Sequence, residues 1–361
     1  MGIHFFTGFP GFVATELIQQ LFKEGITKQV YAVVLSSELA KAKTKGAFIE
    51  RQYEGCKIVL FEGDITLPNL GLANEELAII IPKITVVWHL AANTDLAVTR
   101  EVGWKVNVHG TANVNEFACC LENLERYMYF SSSYIAGKRK GTILEMELIR
   151  PAAFHNYYEE TKFEAELLVD DLKLELPITI IRPSIIYGHS QTGVTQKFDG
   201  IYFLLNAVEY FKSKLVIPQL GSKHTLLQMV SIDYVAKTSV RLCLLPEAVG
   251  ETLHITGSQP YTAAQIYQEI VKEMTGKKPF CPLPLGIAKA MLEQSNIRKL
   301  MHVKPQTVDY LDYEGKFDTK DFDQLIASSE IACCDVMQTL PTLIKFYEEN
   351  KHLQSYYVKM D

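Results

Sequence analysis

The chain has 361 residues, with 36 Lys+Arg against 42 Asp+Glu and a formal net charge of -6. Hydrophobic residues make up 48% and charged residues 22%. This composition excludes disordered, collagen-like and coiled-coil chains and supplies core for one large α/β domain carrying a second lobe. A mildly acidic chain without a long basic stretch has no electrostatic footprint for nucleic acid or anionic membrane, so a small-molecule partner is expected.

Short apolar runs rich in β-branched residues recur through the first half: Ile3 to Thr7, Gln29 to Leu35, Lys57 to Phe61, Thr85 to Leu90, Tyr127 to Ser131 and Ile178 to Arg182. Near-continuous runs of this length are expected of strands buried on both faces. Helical patterns alternate with them, among them ATELIQQLFKEG, closed by Gly25, and VNVHGTANVNEFACCLENL. The alternation predicts a Rossmann-type α/β fold, a doubly wound parallel sheet. After Arg182 the rhythm breaks into an irregular stretch to about Met229. A last strand is expected near 251–257, and the remainder reads as helical. Residues 1–187 plus 230–257 are expected to form the nucleotide-binding lobe, and 188–229 plus 258–361 a smaller, mostly helical substrate lobe.

The seven cysteines include two adjacent pairs and no zinc-ligand spacing, which reads as reduced thiols and no metal site. The start, MGIHFFTGFPGF, carries no signal-peptide pattern, and the longest apolar run is broken by Pro82 and Lys83. A soluble cytoplasmic protein without a membrane span is expected.

Directly after the first strand comes Thr7-Gly8-Phe9-Pro10-Gly11-Phe12-Val13-Ala14, then a helix. Glycines at 8 and 11 permit a tight turn and close backbone approach, so that amides at the helix N-terminus face a pyrophosphate. At the end of the second strand a carboxylate would select the ribose diol of NAD, and a cation the 2′-phosphate of NADP. Here the chain reads Ser36-Ser37-Glu38, followed by Lys41, Lys43 and Lys45, which leans toward NADP(H) over NAD(H).

Reduction of a carbonyl needs a proton donor, and a tyrosine serves if a cation lowers its pKa. Tyr158 and Lys162 share one face of a helix. The same spacing occurs at Tyr53/Lys57, Tyr134/Lys138, Tyr210/Lys214 and Tyr347/Lys351, but only Tyr158 opens a helix between the fifth and sixth strands, downstream of a serine-rich strand end. From chemistry alone, any of Ser131, Ser132 and Ser133 at that strand end could donate beside the tyrosine. Tyr202, Phe203, Tyr210 and Phe211 have the spacing of an acyl pocket or of ordinary core, and His89 reads as structural.

Taken in order, TGFPGF, Gly63-Asp64-Ile65-Thr66, His89-Leu90-Ala91-Ala92, Val106-Asn107-Val108-His109-Gly110-Thr111, Ser131-Ser132-Ser133 and Tyr158-x-x-x-Lys162 resemble the extended short-chain dehydrogenase/reductases over roughly the first 190 residues. GDITLPNLGL and RPSIIYGHSQTG look like the branch holding fatty acyl-CoA reductases and thioester reductase domains. The resemblance implies Ser132 as the catalytic hydroxyl, Tyr158 as acid, Lys162 on the nicotinamide ribose and Asn107 supporting the lysine through a water. It places Thr7, Gly8, Phe9, Pro10, Gly11, Phe12, Ser36, Asp64, Ile65, Ala91, Ala92, Pro183 and Ser184 at the cofactor, with Asp64 reading the adenine. Ser133, Tyr134 and His155 are expected at the substrate. Ala14 in place of a third glycine, and Ser36 in place of an arginine, depart from the pattern of NADP-using members.

The implied reaction is hydride transfer to an acyl thioester, from CoA or a carrier protein, giving an aldehyde and a thiol and, after a second hydride, an alcohol. The alternatives are a ketone or aldehyde reductase, a dehydrogenase or a sugar epimerase with the same machinery. A nucleotide-binding regulator without turnover is a further one. Fold and cofactor class do not separate these readings.

Overall fold

The computed structural model describes residues 2–259 and 261–360. Met1, Pro260 and Asp361 lie outside the described residues, so the expected outer ends of the two lobes and one position inside the second lobe go untested. Seven strands form one parallel sheet: β1 (Ile3–Thr7), β2 (Gln29–Val34), β3 (Lys57–Glu62), β4 (Ile84–His89), β5 (Arg126–Phe130), β6 (Ile178–Pro183) and β7 (Thr252–Ile255). Their spatial order is β7-β6-β5-β4-β1-β2-β3. The chain runs outward from β1 to one edge, returns, and fills the other side. This reversal between β1 and β4 opens a crevice at the carboxyl ends of the central strands. All seven expected strands are present, shifted by a residue or two at their ends.

Helices cover both faces: α1 (Phe12–Lys23), α2 (Leu39–Gln52), α3 (Asn74–Ile80), α4 (Arg100–Gly103, Trp104–His109 and Gly110–Cys119 in unbroken succession), α5 (Tyr157–Asp170) and α6 (Tyr202–Phe211). These are followed by α7 (Ile232–Leu244), α8 (Ala263–Thr275), α9 (Leu285–Glu293), α10 (Ser295–Met301), α11 (Lys320–Ile326) and α12 (Val336–Asn350). One face of the sheet packs Phe6, Val30, Trp88 and Phe130 against α1 and α7, and the other packs Phe5, Tyr31, Val87 and Tyr129 against α4 and α5. With both faces covered, the strands read as continuous apolar runs.

A third apolar cluster holds α6, α8, α9 and α12 together around Phe198, Leu205, Tyr267 and Leu340. α6 falls in the stretch expected to be irregular. Tyr202 through Val208 are all buried, so the segment has no polar face and no helical periodicity to read. The part from 315 to 333 departs from the expected lobe boundary. Gly315–Phe317 pairs in parallel with Gly141–Ile143, and Phe322 and Ile326 of α11 pack in the sheet's own core.

Buried ions join the layers. Arg182 of β6 donates from Nε (2.9 Å) and Nη2 (2.5 Å) to Glu166 Oε1 of α5, and from Nη1 to the Glu145 carbonyl (3.0 Å). The Glu145 carboxylate accepts from His254 N of β7 (2.8 Å) and from Asp321 N at the start of α11 (2.7 Å). Burial pushes the Glu145 pKa up to about 7, against the pull of these amides. Arg126 of β5 donates to the Leu242 and Leu245 carbonyls at 2.9 and 2.6 Å, a cation on the C-terminus of α7.

Candidate active site

One continuous cleft of about 1140 Å³ runs from the glycine turn, across the carboxyl ends of the strands, into the helical lobe. At its first end the turn after β1 brings Gly8 against β4. Gly8 has φ +89°, and a Cβ there would stand 2.8 Å from Ala91 N. A Cβ on Gly11 would meet Gly8 O at 2.6 Å. Only glycine fits either place. α1 begins without a side-chain cap, and Phe12, Val13 and Ala14 of its first turn line the cleft. Uncapped amides on an open wall are suited to a phosphate.

Of the residues expected at the cofactor, Gly8, Phe9, Pro10, Gly11, Phe12, Asp64, Ile65, Ala91, Ala92, Pro183 and Ser184 line the cleft. Asp64 Oδ1 accepts from Thr66 N (2.8 Å), which fixes its turn. Two expected cofactor residues stand elsewhere. Thr7 is fully buried, and its Oγ1 accepts from Leu90 N and Ala91 N (3.0 Å each) and pairs with His89 Nδ1 (2.7 Å). Thr7 thus shapes the wall from behind without forming part of it. Ser36 is exposed beyond the end of β2, where the chain turns outward, and the wall there is made by Leu35, Glu38 and Lys41. Glu38 and Lys41 pair at 3.4 Å.

Of the three serines, Ser131 and Ser132 line the cleft and Ser133 does not. Ser132 lines the cleft at the end of β5, and its Oγ accepts from Tyr134 N (3.2 Å). Ser133 opens the tight helical turn after β5 (Ser133–Ala136), where it donates to the Arg182 carbonyl (2.8 Å) and does not line the cleft. Tyr158 enters the same wall from the first turn of α5, which Asn156 caps by accepting from Glu159 N (3.1 Å). Burial raises the Tyr158 pKa, and the hydrogen bond to Ser132 works against that rise. The expectation that Lys162 lowers it is not met. The Lys162 ammonium donates to the Phe130 carbonyl (2.7 Å) and Tyr129 Oη (3.0 Å), anchored to β5. Burial lowers the Lys162 pKa to about 7, while Glu166 one turn on raises it.

Asn107 is buried behind the wall in the wide turn of α4 (Trp104–His109). Its Oδ1 accepts from Asn93 N (2.7 Å), and its Nδ2 donates to Asn93 O (3.1 Å) and Thr161 Oγ1 (2.9 Å). Both amide protons are committed, so Asn107 positions the loop after β4 and the helix carrying Tyr158. His155, expected at substrate, is a layer further back, with Nδ1 3.0 Å from Glu159 Oε2. Glu159 also accepts from the Tyr310 hydroxyl (2.7 Å). Tyr310 and Tyr134 meet edge to face, 4.9 Å apart, and both line the cleft. His89 is buried between Thr7 and Thr111, its pKa lowered to about 3 by burial and by the Lys162 charge, and is structural as read.

The far half of the cleft was legible in sequence only in its aromatics. Phe203, Leu204, Leu220, Met291 and Leu311 make it apolar, and Lys304, paired with Asp95 of the loop after β4, stands where the two sides face each other. Of the four aromatics singled out in sequence, Phe203 and Phe211 line the cleft. Tyr202 is core, its hydroxyl on Gly193 O (3.2 Å).

A nicotinamide dinucleotide fits these residues. The glycine turn admits a pyrophosphate, and the buried hydroxyls of Ser131 and Ser184 on the wall have no protein hydrogen-bond partner, an unmet capacity that a polar ligand satisfies. The turn, the sheet and the Ser132–Tyr158–Lys162 wall define an NAD(P)-binding domain of the extended short-chain dehydrogenase/reductase class. The male sterility protein family, an NAD-binding family, matches residues 6–239, and the chain belongs to it.

Among curated relatives, a non-canonical nonribosomal peptide synthetase, cpsA, of Aspergillus campestris is 28% identical over 269 residues, 69% of this chain and 26% of that protein. The fatty acyl-CoA reductase wat of Drosophila melanogaster is 24% identical over 237 residues, 55% of this chain and 45% of that protein. The chain therefore spans a quarter to a half of the length of these relatives. In fold it is similar to the terminal R domain of the myxalamid PKS-NRPS pathway, with a TM-score of 0.82 at 23% identity, covering 98% of this chain and 92% of that one. No helix among the described residues is long and apolar enough to cross a membrane.

Proposed function

We propose that the protein is an NAD(P)H-dependent reductase of acyl thioesters, bound to CoA or to a carrier protein. The observation that carries this reading is the single wall on which Ser132 and Tyr158 stand side by side, between a dinucleotide-suited turn and a long apolar chamber. The nicotinamide, when bound, supplies a hydride to the carbonyl carbon. Ser132, held by Tyr134 N, turns its proton from Tyr158 to the carbonyl oxygen as the substrate enters and holds that oxygen in place. Tyr158 donates the proton that the oxygen takes up as negative charge develops. Lys162 holds the ribose from its anchorage on β5, and Asn107 keeps α4 and α5 in register. Carbon–sulfur cleavage, with the hydroxyl proton passing back through Tyr158 to the leaving sulfur, then releases a thiol and an aldehyde, which leaves by the cleft or returns for a second hydride.

NADP(H) is the proposed cofactor, because Lys41 on the wall offers a cation to a 2′-phosphate and holds Glu38. The seven free thiols support a reducing, cytoplasmic location. The two lobes are proposed as 1–187 plus 230–257 and 188–229 plus 258–361, with the segment around 315–333 returning to pack on the first.

The test is cofactor oxidation with NADPH and NADH against acyl-CoAs and matched aldehydes and ketones. NADPH oxidation with acyl-CoA supports the reading. Activity confined to ketones, aldehydes or sugars reassigns the cleft.

A further inference from the structure

One stretch of surface outside the cleft differs from the rest of the chain in charge and apolar exposure. Residues 212–225 and 276–292 carry six lysines, Lys212, Lys214, Lys223, Lys277, Lys278 and Lys289, and no aspartate or glutamate, in a chain of net charge -6. The fold joins the two segments. Phe280 N donates to Ile217 O (2.9 Å), Gln219 N to Cys281 O (2.7 Å) and Leu283 N to Gln219 O (2.9 Å).

The joined segments form a wall with two apolar sides. Inward, Leu220 and Leu283 line the cleft. Outward, Leu215 is 101% exposed and Phe280 80% exposed, with Val216 at 40% beside them. Lys212 pairs with Glu209 and Lys289 with Asp309. Lys214, Lys223, Lys277 and Lys278 have no carboxylate within ion-pair distance among the described residues, and Lys214 lies 5.2 Å over the Tyr210 ring.

Leucine and phenylalanine held out in water at the tips of loops, ringed by unpaired ammonium groups, have the composition of an interfacial surface. The apolar side chains project and line no groove, which suits a fluid headgroup layer better than a protein partner. We propose that this face docks on an anionic phospholipid bilayer. Leu215 and Phe280 enter the headgroup region and the lysines meet lipid phosphates, which sets the apolar wall of the cleft against the source of acyl chains.

The test uses the full chain with vesicles of phosphatidylcholine alone and of phosphatidylcholine mixed with phosphatidylserine. Sedimentation with the mixed vesicles, reversed by high salt, is expected. Leu215→Ser with Phe280→Ser, and Lys277→Glu with Lys278→Glu, should each weaken binding by about tenfold or more while leaving the melting temperature unchanged. Failure of the wild type to sediment, equal binding to phosphatidylcholine alone, or unchanged binding by both variants overturns the proposal. Variants that bind vesicles normally but turn over carrier-bound thioesters slowly also overturn it, and assign the face to an acidic carrier protein. Vesicle binding is read without substrate, so it stands or falls apart from the thioester reading.

Discussion

Tyr158 must give up a proton from a phenol that burial has made a weaker acid, and the nearest group opposing that effect is Ser132. The two therefore act as a pair. Tyr158→Phe is expected to lower kcat by about 10²- to 10⁴-fold with cofactor affinity nearly unchanged. Ser132→Ala should cost about 10²- to 10³-fold, measured in the same steady-state assay. Lys162 carries a second, testable consequence. Its pKa in the folded protein is about 7 against an ordinary 10.5, so between those values the unfolded chain binds the extra proton and stability rises with pH. Urea unfolding of wild type and Lys162→Met should show the wild type gaining on the variant above pH 7, by up to about 1.4 kcal/mol per pH unit. A constant difference contradicts a buried, easily discharged lysine. At this scale sequence named the right residue types but not always their neighbours. Three adjacent serines are indistinguishable until the helical turn after β5 sends Ser133 to the Arg182 carbonyl and leaves Ser131 and Ser132 on the cleft wall. Thr7 and His155 are expected at ligands, and Asn107 behind the lysine, from the motifs they flank, and each spends its polar atoms on backbone or on a buried side chain.

At the level of elements, the turn between β1 and α1 is the part most tightly dictated by sequence. Gly8→Ala meets both a left-handed backbone and Ala91 N at 2.8 Å. It should cost about 1–2 kcal/mol from the backbone alone, seen as a lower Tm together with weaker dinucleotide binding; normal binding would mean that the turn yields freely. The Glu166–Arg182 pair makes the opposite kind of prediction, a large loss of stability from a residue that touches no ligand space. Glu166→Ala leaves a buried guanidinium without its carboxylate and is expected to lose about 3–5 kcal/mol in denaturant unfolding. Strands β1 to β7 were legible because a parallel sheet covered on both faces needs continuous apolar runs bounded by turns. α6 was not, because a helix buried all round has no periodicity to reveal it. Pairings such as Gly315–Phe317 with Gly141–Ile143 join segments of three residues far apart in the chain, too short to leave a local pattern.

The molecule as a whole places a dinucleotide-suited half-cleft, common to many chemistries, against an apolar half-cleft that decides among them. The first was readable from motifs in fixed order. The second is assembled from α6, α9 and α10 and the turns between them, and its residues meet only in the folded chain. The lysine-rich face has the same origin, since each of its segments is unremarkable alone and the net charge of the chain points the other way. If the apolar half-cleft holds the acyl chain, Leu204→Trp should raise KM for long acyl-CoAs several-fold while short ones are spared; an equal effect on both would place the chain elsewhere. The central claim, that a thioester is the hydride acceptor, is tested most directly by measuring NADPH consumed and free thiol released in one reaction with acyl-CoA. The account predicts thiol in fixed proportion to NADPH, one to one if the product is the aldehyde and one to two if it is the alcohol, with both signals abolished in Tyr158→Phe. NADPH oxidation without thiol release would contradict it.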